Sequence, residues 1–221
     1  MVATTLQGLE DVLARELSKI GGNDIKISKR AVRFSADKDL LYKGNLQLRT
    51  AIRLLKTLKK FQAKNDDELY EKVKGIDWTE LFDVEKTFLI RSAVSGQIFT
   101  NGQYAALKCK DAIADCFREK FGQRPSVDMR NPNIVIHVKI WNDEVIISLD
   151  SSGLPLNKRG YRQAQAEAPM NECLAAGALL LAGYEGKRNL VDGMCGSGTL
   201  SIEAALIANN ISPGLLRDEF S

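Results

Sequence analysis

The run Leu190-Val191-Asp192-Gly193-Met194-Cys195-Gly196-Ser197-Gly198-Thr199-Leu200-Ser201-Ile202-Glu203-Ala204-Ala205 decides how the end of this 221-residue chain is read. A short apolar stretch ends in an acid, a glycine-rich turn follows, and apolar residues then resume at helical spacing. Glycines let a backbone turn sharply and approach a ligand closely. The helix that opens behind them presents N–H groups with no partner inside the helix. The pattern predicts a short strand over Asn189–Asp192 and a helix from Thr199 to about Asn209. An ordinary strand–loop–helix turn without a ligand has the same pattern.

Three ligand classes use such a turn. A phosphate-gripping Walker loop has the glycine spacing of Gly193 and Gly198, but Thr199 stands where its lysine belongs. A dinucleotide fold matches Gly196-Ser197-Gly198, but Ser201 stands at the third glycine, and no ribose-binding acid can be assigned downstream. The third class is the S-adenosylmethionine site of class I methyltransferases, where an acid precedes a D-x-x-C-G-x-G loop. That ligand carries no phosphate and needs no lysine, and Asp192 through Gly198 fits the form.

Upstream of the loop, Asn171–Ala182 reads as an apolar helix opened by Pro169. Before it lies Ser151-Ser152-Gly153-Leu154-Pro155-Leu156-Asn157-Lys158-Arg159-Gly160-Tyr161-Arg162, a connector with Gly, Ser and Pro punctuation and three cations close together. The first 150 residues intersperse helices and short strands. Helical spacing runs over Thr4–Lys19, Asp37–Asn45, Asp66–Lys74 and Gln103–Phe121. Strands are expected at Asp24–Ser28, Ala31–Ser35 and Thr87–Ala93. Leu46–Phe61 reads as a helix end running into a strand. Ile134–Ile140 and Glu144–Asp150 alternate with period two around Trp141-Asn142-Asp143, a hairpin signature. His137 falls opposite Ile134, Ile136 and Val138, at the surface or an edge. The pattern is α+β rather than an even βαβ repeat.

Composition excludes several classes. Hydrophobic residues make up 44% and charged residues 27%, ordinary for a globular protein and wrong for a disordered tail or a collagen-like repeat. The longest apolar run, Leu174–Ala182, is too short to span a bilayer. Met1–Glu10 lacks the basic and apolar regions of a signal peptide. A cytoplasmic protein with no membrane partner is the expectation. Cys109, Cys116, Cys173 and Cys195 have no C-x-x-C spacing and His137 stands apart, so no metal is expected and the thiols read as reduced and mostly buried. The net charge is +3. Residues 151–221 hold six Lys and Arg against seven Asp and Glu, so the surplus lies in the first 150, compatible with nucleic-acid contact.

Several segments in one order resemble a known family. They are Gly8-Leu9-Glu10 with Leu13-Ala14 and Glu16-Leu17, then Lys108-Cys109-Lys110-Asp111-Ala112-Ile113-Ala114-Asp115 followed by Arg124-Pro125. Asp150-Ser151-Ser152-Gly153 follows, with Lys158-Arg159-Gly160-Tyr161-Arg162. Ala168-Pro169 with Glu172 and Leu174-Ala175-Ala176, Asp192–Ala205 and Ser212-Pro213-Gly214 complete the series. Together they resemble the amino-terminal part of the large-subunit ribosomal RNA guanine-N2 methyltransferases that carry a THUMP domain. Two positions depart from that family. Gly193 replaces a proline and implies a looser loop, and Asn171 and Cys173 replace the Lys and Thr that flank the glutamate.

The resemblance implies an α+β chain: a ferredoxin-like part over 1–44, a THUMP RNA-binding domain over 45–152, a linker over 153–166, and the truncated start of an α/β Rossmann-like methyltransferase domain over 167–221. The implied reaction moves a methyl group from S-adenosylmethionine to the exocyclic amine of a guanine in ribosomal RNA. Asp192, Cys195, Gly196, Ser197, Gly198 and Thr199 are the implied cofactor residues, and Glu203 is structural. Lys108, Lys110, Arg118, Arg130, Lys158, Arg159 and Arg162 are the candidates for RNA phosphate contact. The family's Asp/Asn-Pro-Pro-Tyr/Phe run has no counterpart, because no Pro-Pro dipeptide occurs. No catalytic residue is therefore assigned, and the chain reads as a fragment, inactive alone. Two alternatives stand beside this reading: a stand-alone THUMP module with a vestigial tail, and an adenine-N6 nucleic-acid methyltransferase.

Overall fold

The computed structural model describes residues 1–162 and 169–220. Ala168, Glu167 and the far end of the expected linker, 163–166, lie outside the described residues. The chain forms two compact units, Met1–Leu55 with Ser151–Phe220, and Lys56–Asp150.

The first unit opens with a strand, not a helix. β1, Val2–Thr5, pairs antiparallel with β3, Ala31–Ser35, and with the start of β4, Ala51–Gln62. The helical spacing read from Thr4 onward does not begin there. Instead Thr4 and Thr5 fill an inner strand, where β-branched residues pack well, and Thr5 Oγ1 donates to the Thr50 carbonyl at 2.7 Å. The helical period holds only from α1, Glu10–Lys19, which buries Val12, Leu13 and Leu17. β2, Asn23–Ser28, forms a hairpin with β3, giving the order β2-β3-β1-β4. α2, Lys38–Gln47, starts where the Asp37 side chain accepts from the Leu40 N–H at 2.8 Å. Ala3, Leu13, Leu17, Val32, Phe34, Leu40, Leu48, Ala51, Leu54 and Leu156 form the core.

Residues 151–220 fold onto this same unit. α5, Glu172–Leu181, is capped by Asn171 and sends the Cys173 thiol to the Ala51 carbonyl at 3.1 Å. Its Gly177 faces Leu9 so closely that a Cβ there would come within 2.4 Å of a Leu9 methyl. α6, Thr199–Ala208, follows the glycine loop. The strand expected at Asn189–Asp192 does not form, and Val191 is 92% exposed. An isolated extended segment gains nothing from β geometry without a ladder partner, and none pairs with it among the described residues.

In the second unit the latter part of β4 is followed by α3, Asp66–Lys74, capped by Asn65, and by a 3-10 turn, Trp78–Glu80. Then come β5, Phe88–Ser95, α4, Gly102–Phe121, β6, Ile134–Trp141, and β7, Glu144–Asp150. The strand order is β4-β7-β6-β5, with β5 and β6 parallel and β6 and β7 a hairpin. One face packs on the helices through Leu69, Val73, Trp78, Phe117, Ile136, Val138, Ile140 and Ile147. Trp78 Nε1 donates to the Val73 carbonyl at 2.8 Å, so the buried indole keeps its N–H satisfied. The interspersed strands and helices are the expected α+β arrangement.

Candidate cofactor loop and its arginine braces

The loop is built from the peptide upward. Gly196 and Gly198 both take left-handed backbone angles, φ 51° and 72°, which a side chain would disfavour. The Gly198 N–H donates to the Cys195 carbonyl at 2.7 Å, closing the turn, and the Gly198 carbonyl accepts the first helical bond, from Ile202. Gly198 is the N-cap of α6 and offers no side chain to its first N–H groups. Asp192 is half-buried and ties the two ends of the turn together: it accepts from Ser201 Oγ at 3.1 Å and from the Met194 N–H at 3.4 Å.

The turn leaves room for a ligand. A Cβ placed on Gly193, Gly196 or Gly198 would meet nothing within 4 Å, so the loop backbone lies open to an incoming group. Cys195 is exposed, against the expectation for the thiols. Cys109 and Cys173 are buried as expected, and burial pushes both thiols up to about 12. Among the described residues no cluster of three or more His, Cys, Asp or Glu is placed to hold a metal ion. No helix there is long and apolar enough to cross a membrane.

The connector arginines were expected at RNA phosphates. Arg162 instead holds the loop. Its Nε donates to Glu172 Oε1 at 2.6 Å, and one Nη donates to the Met170 carbonyl at 2.8 Å and to Thr199 Oγ1 at 3.0 Å. Its other Nη lies 3.4 Å from Ser197 Oγ, which itself contacts Thr199 Oγ1 at 3.0 Å. The connector, α5 and the cofactor loop are thus joined through one guanidinium.

Arg159 is 2% exposed. Its guanidinium donates to the Leu156 carbonyl at 2.7 Å, to the Arg49 carbonyl at 2.5 Å and to Glu203 Oε1 at 3.4 Å. Each of its three nitrogens has a partner and the side chain is buried, which takes Arg159 out of the set available to a phosphate. Glu203 is fully buried and also accepts from the Tyr161 hydroxyl at 3.2 Å. Burial holds its carboxyl above the ordinary carboxylate value, with Arg159 pulling the other way. Beside it Arg49 closes the carboxyl end of α6 by donating to the Leu206 and Ile211 carbonyls at 3.3 and 2.8 Å. The Arg49 and Thr50 N–H groups donate to the Glu16 carboxylate at 2.8 and 3.0 Å. Arg49, Glu16 and Glu172 were missed in the sequence. Their partners lie 10 to 162 residues away, beyond the reach of any local pattern.

The remaining phosphate candidates stand on the surface. Lys158 is exposed and at the connector. Arg130 is exposed in the loop before β6. On α4, Lys108 lies 3.9 Å from Asp67, Lys110 lies 2.7 Å from Asp111, and Arg118 lies 2.9 Å from Asp115. Each α4 cation has a carboxylate beside it. His137 is half-buried, with Nε2 3.1 Å from the buried Asp150 carboxylate, a partner the alternation pattern could not show.

Comparison with known proteins agrees with this arrangement. Residues 1–55 match the RlmL ferredoxin-like domain, residues 63–150 the THUMP domain, and residues 159–221 an RMKL-like methyltransferase domain. The chain carries a ferredoxin-like domain, a THUMP domain and a methyltransferase-domain segment. Among solved structures it is similar to a Listeria monocytogenes protein described as a predicted N6-adenine-specific DNA methylase, with 34% identity and a TM-score of 0.87 over 99% of this chain and 57% of that one. It is also similar to a Clostridium difficile protein described as a possible methylase, with 34% identity and a TM-score of 0.88 over 99% and 58%. SMU.472, solved in complex with SAH, matches with 32% identity and a TM-score of 0.86 over 98% and 57%. The chain therefore spans less than two thirds of the length of these relatives. TrmN from Thermus thermophilus, at 22% identity and a TM-score of 0.72 over 94% and 61%, shares the fold.

Proposed function

We propose that this chain is the RNA-recognising amino-terminal part of an S-adenosylmethionine-dependent methyltransferase that modifies the exocyclic amine of a guanine in large-subunit ribosomal RNA. The observation that carries the reading is the open glycine turn at 193–198, tied by Asp192 and braced by Arg162, inside a segment that matches a methyltransferase domain and follows a THUMP domain. The bound SAH of the relative SMU.472 supports the choice of cofactor. S-adenosylmethionine supplies an electrophilic methyl group. The loop backbone and the exposed Ser197 hydroxyl would hold its methionine side, with Thr199, 2% exposed and bonded to Arg162, behind them.

A guanine exocyclic amine is a weak nucleophile because its lone pair is delocalised into the ring. A second set of acceptors must orient it, and the base must leave its stack. This chain contains no Pro-Pro run to supply them. The 221 residues alone are therefore expected to transfer no methyl group to unmodified ribosomal RNA, measured with labelled cofactor against a no-protein control.

The Listeria relative, described as a predicted N6-adenine-specific DNA methylase, supports a second reading, methylation of adenine N6 in DNA. Competition binding separates the two. The chain is expected to prefer structured ribosomal RNA over duplex DNA of matched length, with affinity falling steeply as salt rises. Preference for the DNA would overturn the first reading in favour of the second.

A further inference from the structure

Resting on the RNA-binding reading, we propose that the RNA contact of the second unit is the open face of β5 and β6 near the β6–β7 turn, with Trp141 as a base-stacking platform and Arg91 and Lys139 as phosphate contacts. In the parallel pair Arg91 lies beside His137, Ala93 beside Lys139 and Ser95 beside Trp141. Across the hairpin Lys139 faces Ile146 and Trp141 faces Glu144. Paired residues share a face. Arg91, Ala93, Ser95, His137, Lys139 and Trp141 therefore line one side, while Ile136, Val138 and Ile140 fill the core on the other.

Three observations point to a nucleic-acid ligand. Trp141 is 65% exposed, whereas the chain's other tryptophan, Trp78, is fully buried. An exposed indole offers a broad, flat ring on which a base can stack. Second, the exposed cations Arg91 and Lys139 enter no ion pair among the described residues, in contrast to the α4 cations, each of which has an acid beside it. Glu144 and Asp150, acids on this face, are already engaged: Glu144 pairs with Lys60 at 2.8 Å, and Asp150 with His137.

Third, the ring sits on a held scaffold. The Asn142 N–H donates to the Ser95 carbonyl at 2.8 Å, and Gly96 is packed so tightly that a Cβ would fall 2.7 Å from the Asn142 backbone. An aromatic ring flanked by unpaired cations on a fixed sheet suits a single-stranded base and its neighbouring phosphates.

The test uses the whole chain and an RNA hairpin carrying a single-stranded adenine tail. Titration is expected to quench the Trp141 emission and leave Trp78 unchanged, with Trp141→Phe as the control. Trp141→Ala should weaken binding about fivefold or more. Arg91→Ala with Lys139→Ala should weaken it further and flatten the slope of log affinity against log salt by about 1.4. Replacing Lys108, Lys110 and Arg118 together should change the slope less. If Trp141→Ala lowers the thermal midpoint, Trp141→Phe and Trp141→Leu decide: Phe keeps the affinity and Leu loses it. Tight binding indifferent to Trp141, Arg91 and Lys139 overturns this surface and leaves the RNA reading standing. No binding of any RNA by the wild-type chain overturns both.

Discussion

Arg162 and Thr199, thirty-seven residues apart, are joined by a hydrogen bond of 3.0 Å that ties the connector to the first turn behind the glycine loop. The same guanidinium is held by Glu172, which is 4% exposed. Arg162→Ala removes the brace and leaves the Glu172 carboxylate without its cation. The expected cost is about 2 kcal/mol, the scale of a hydrogen bond to a charged group. Amide exchange at 196–202 should quicken more than exchange in α1. Equal protection of the loop in the variant and the wild type would disprove the brace.

The loop was legible in the sequence because its glycines and its acid are local. The fork that braces it was not. Arg159 and Arg162 look like a basic cluster in one dimension, and only the fold shows that Glu203 and Glu172 turn them inward. The same limit explains β1. Leu6, Leu9, Leu13 and Leu17 carry a helical period, and nothing local says that Val2–Thr5 lies between two strands. Elements whose partners lie nearby, such as α4 and the β6–β7 hairpin, were readable within a residue or two. The segment 189–192 carried a strand pattern with no ladder partner among the described residues, so the pattern alone did not make a strand.

Arg159→Ala and Lys158→Ala should separate completely, although the two residues are neighbours. Arg159 is buried against Glu203, and removing one partner of such a pair costs about 3–5 kcal/mol because a charge is left uncompensated. Lys158 is exposed, and its loss should change stability by no more than about 0.5 kcal/mol. Urea midpoints of the two variants test this. RNA affinity should follow the reverse order once the Arg159 variant is compared under conditions where it remains folded. Equal midpoints would return Arg159 to the phosphate-contact set.

Glu203 predicts a pH dependence whose sign is fixed by its environment. Burial raises its folded carboxyl above the unfolded value of 4.5, so the folded state binds the proton more tightly. That contribution to stability is fully present below the unfolded value and is lost as pH rises through the folded one. Glu203→Gln cannot ionise and lacks this loss. Wild type should therefore be more stable relative to Glu203→Gln at pH 4 than at pH 8. Denaturant midpoints of both proteins at the two pH values measure the difference. A shift in the opposite sense would mean that Arg159 stabilises the ionised carboxylate more than burial opposes it.

The four thiols give a direct probe of the candidate site. Cys195 is exposed in the loop, whereas Cys109 and Cys173 are buried and their thiols are pushed up to about 12. Thiolate is the reactive form, so neither buried group offers much of it at neutral pH. Iodoacetamide at pH 8 should modify Cys195 first, as read by mass spectrometry of peptides, with Cys109 and Cys173 reacting only after denaturation. S-adenosylhomocysteine held on the loop backbone would cover Cys195 and slow its labelling. The two outcomes are separable. Faster labelling of Cys173 than of Cys195 would contradict the packing of α5 on Ala51. Labelling of Cys195 that is indifferent to millimolar S-adenosylhomocysteine would mean that these 221 residues do not close the cofactor site on their own.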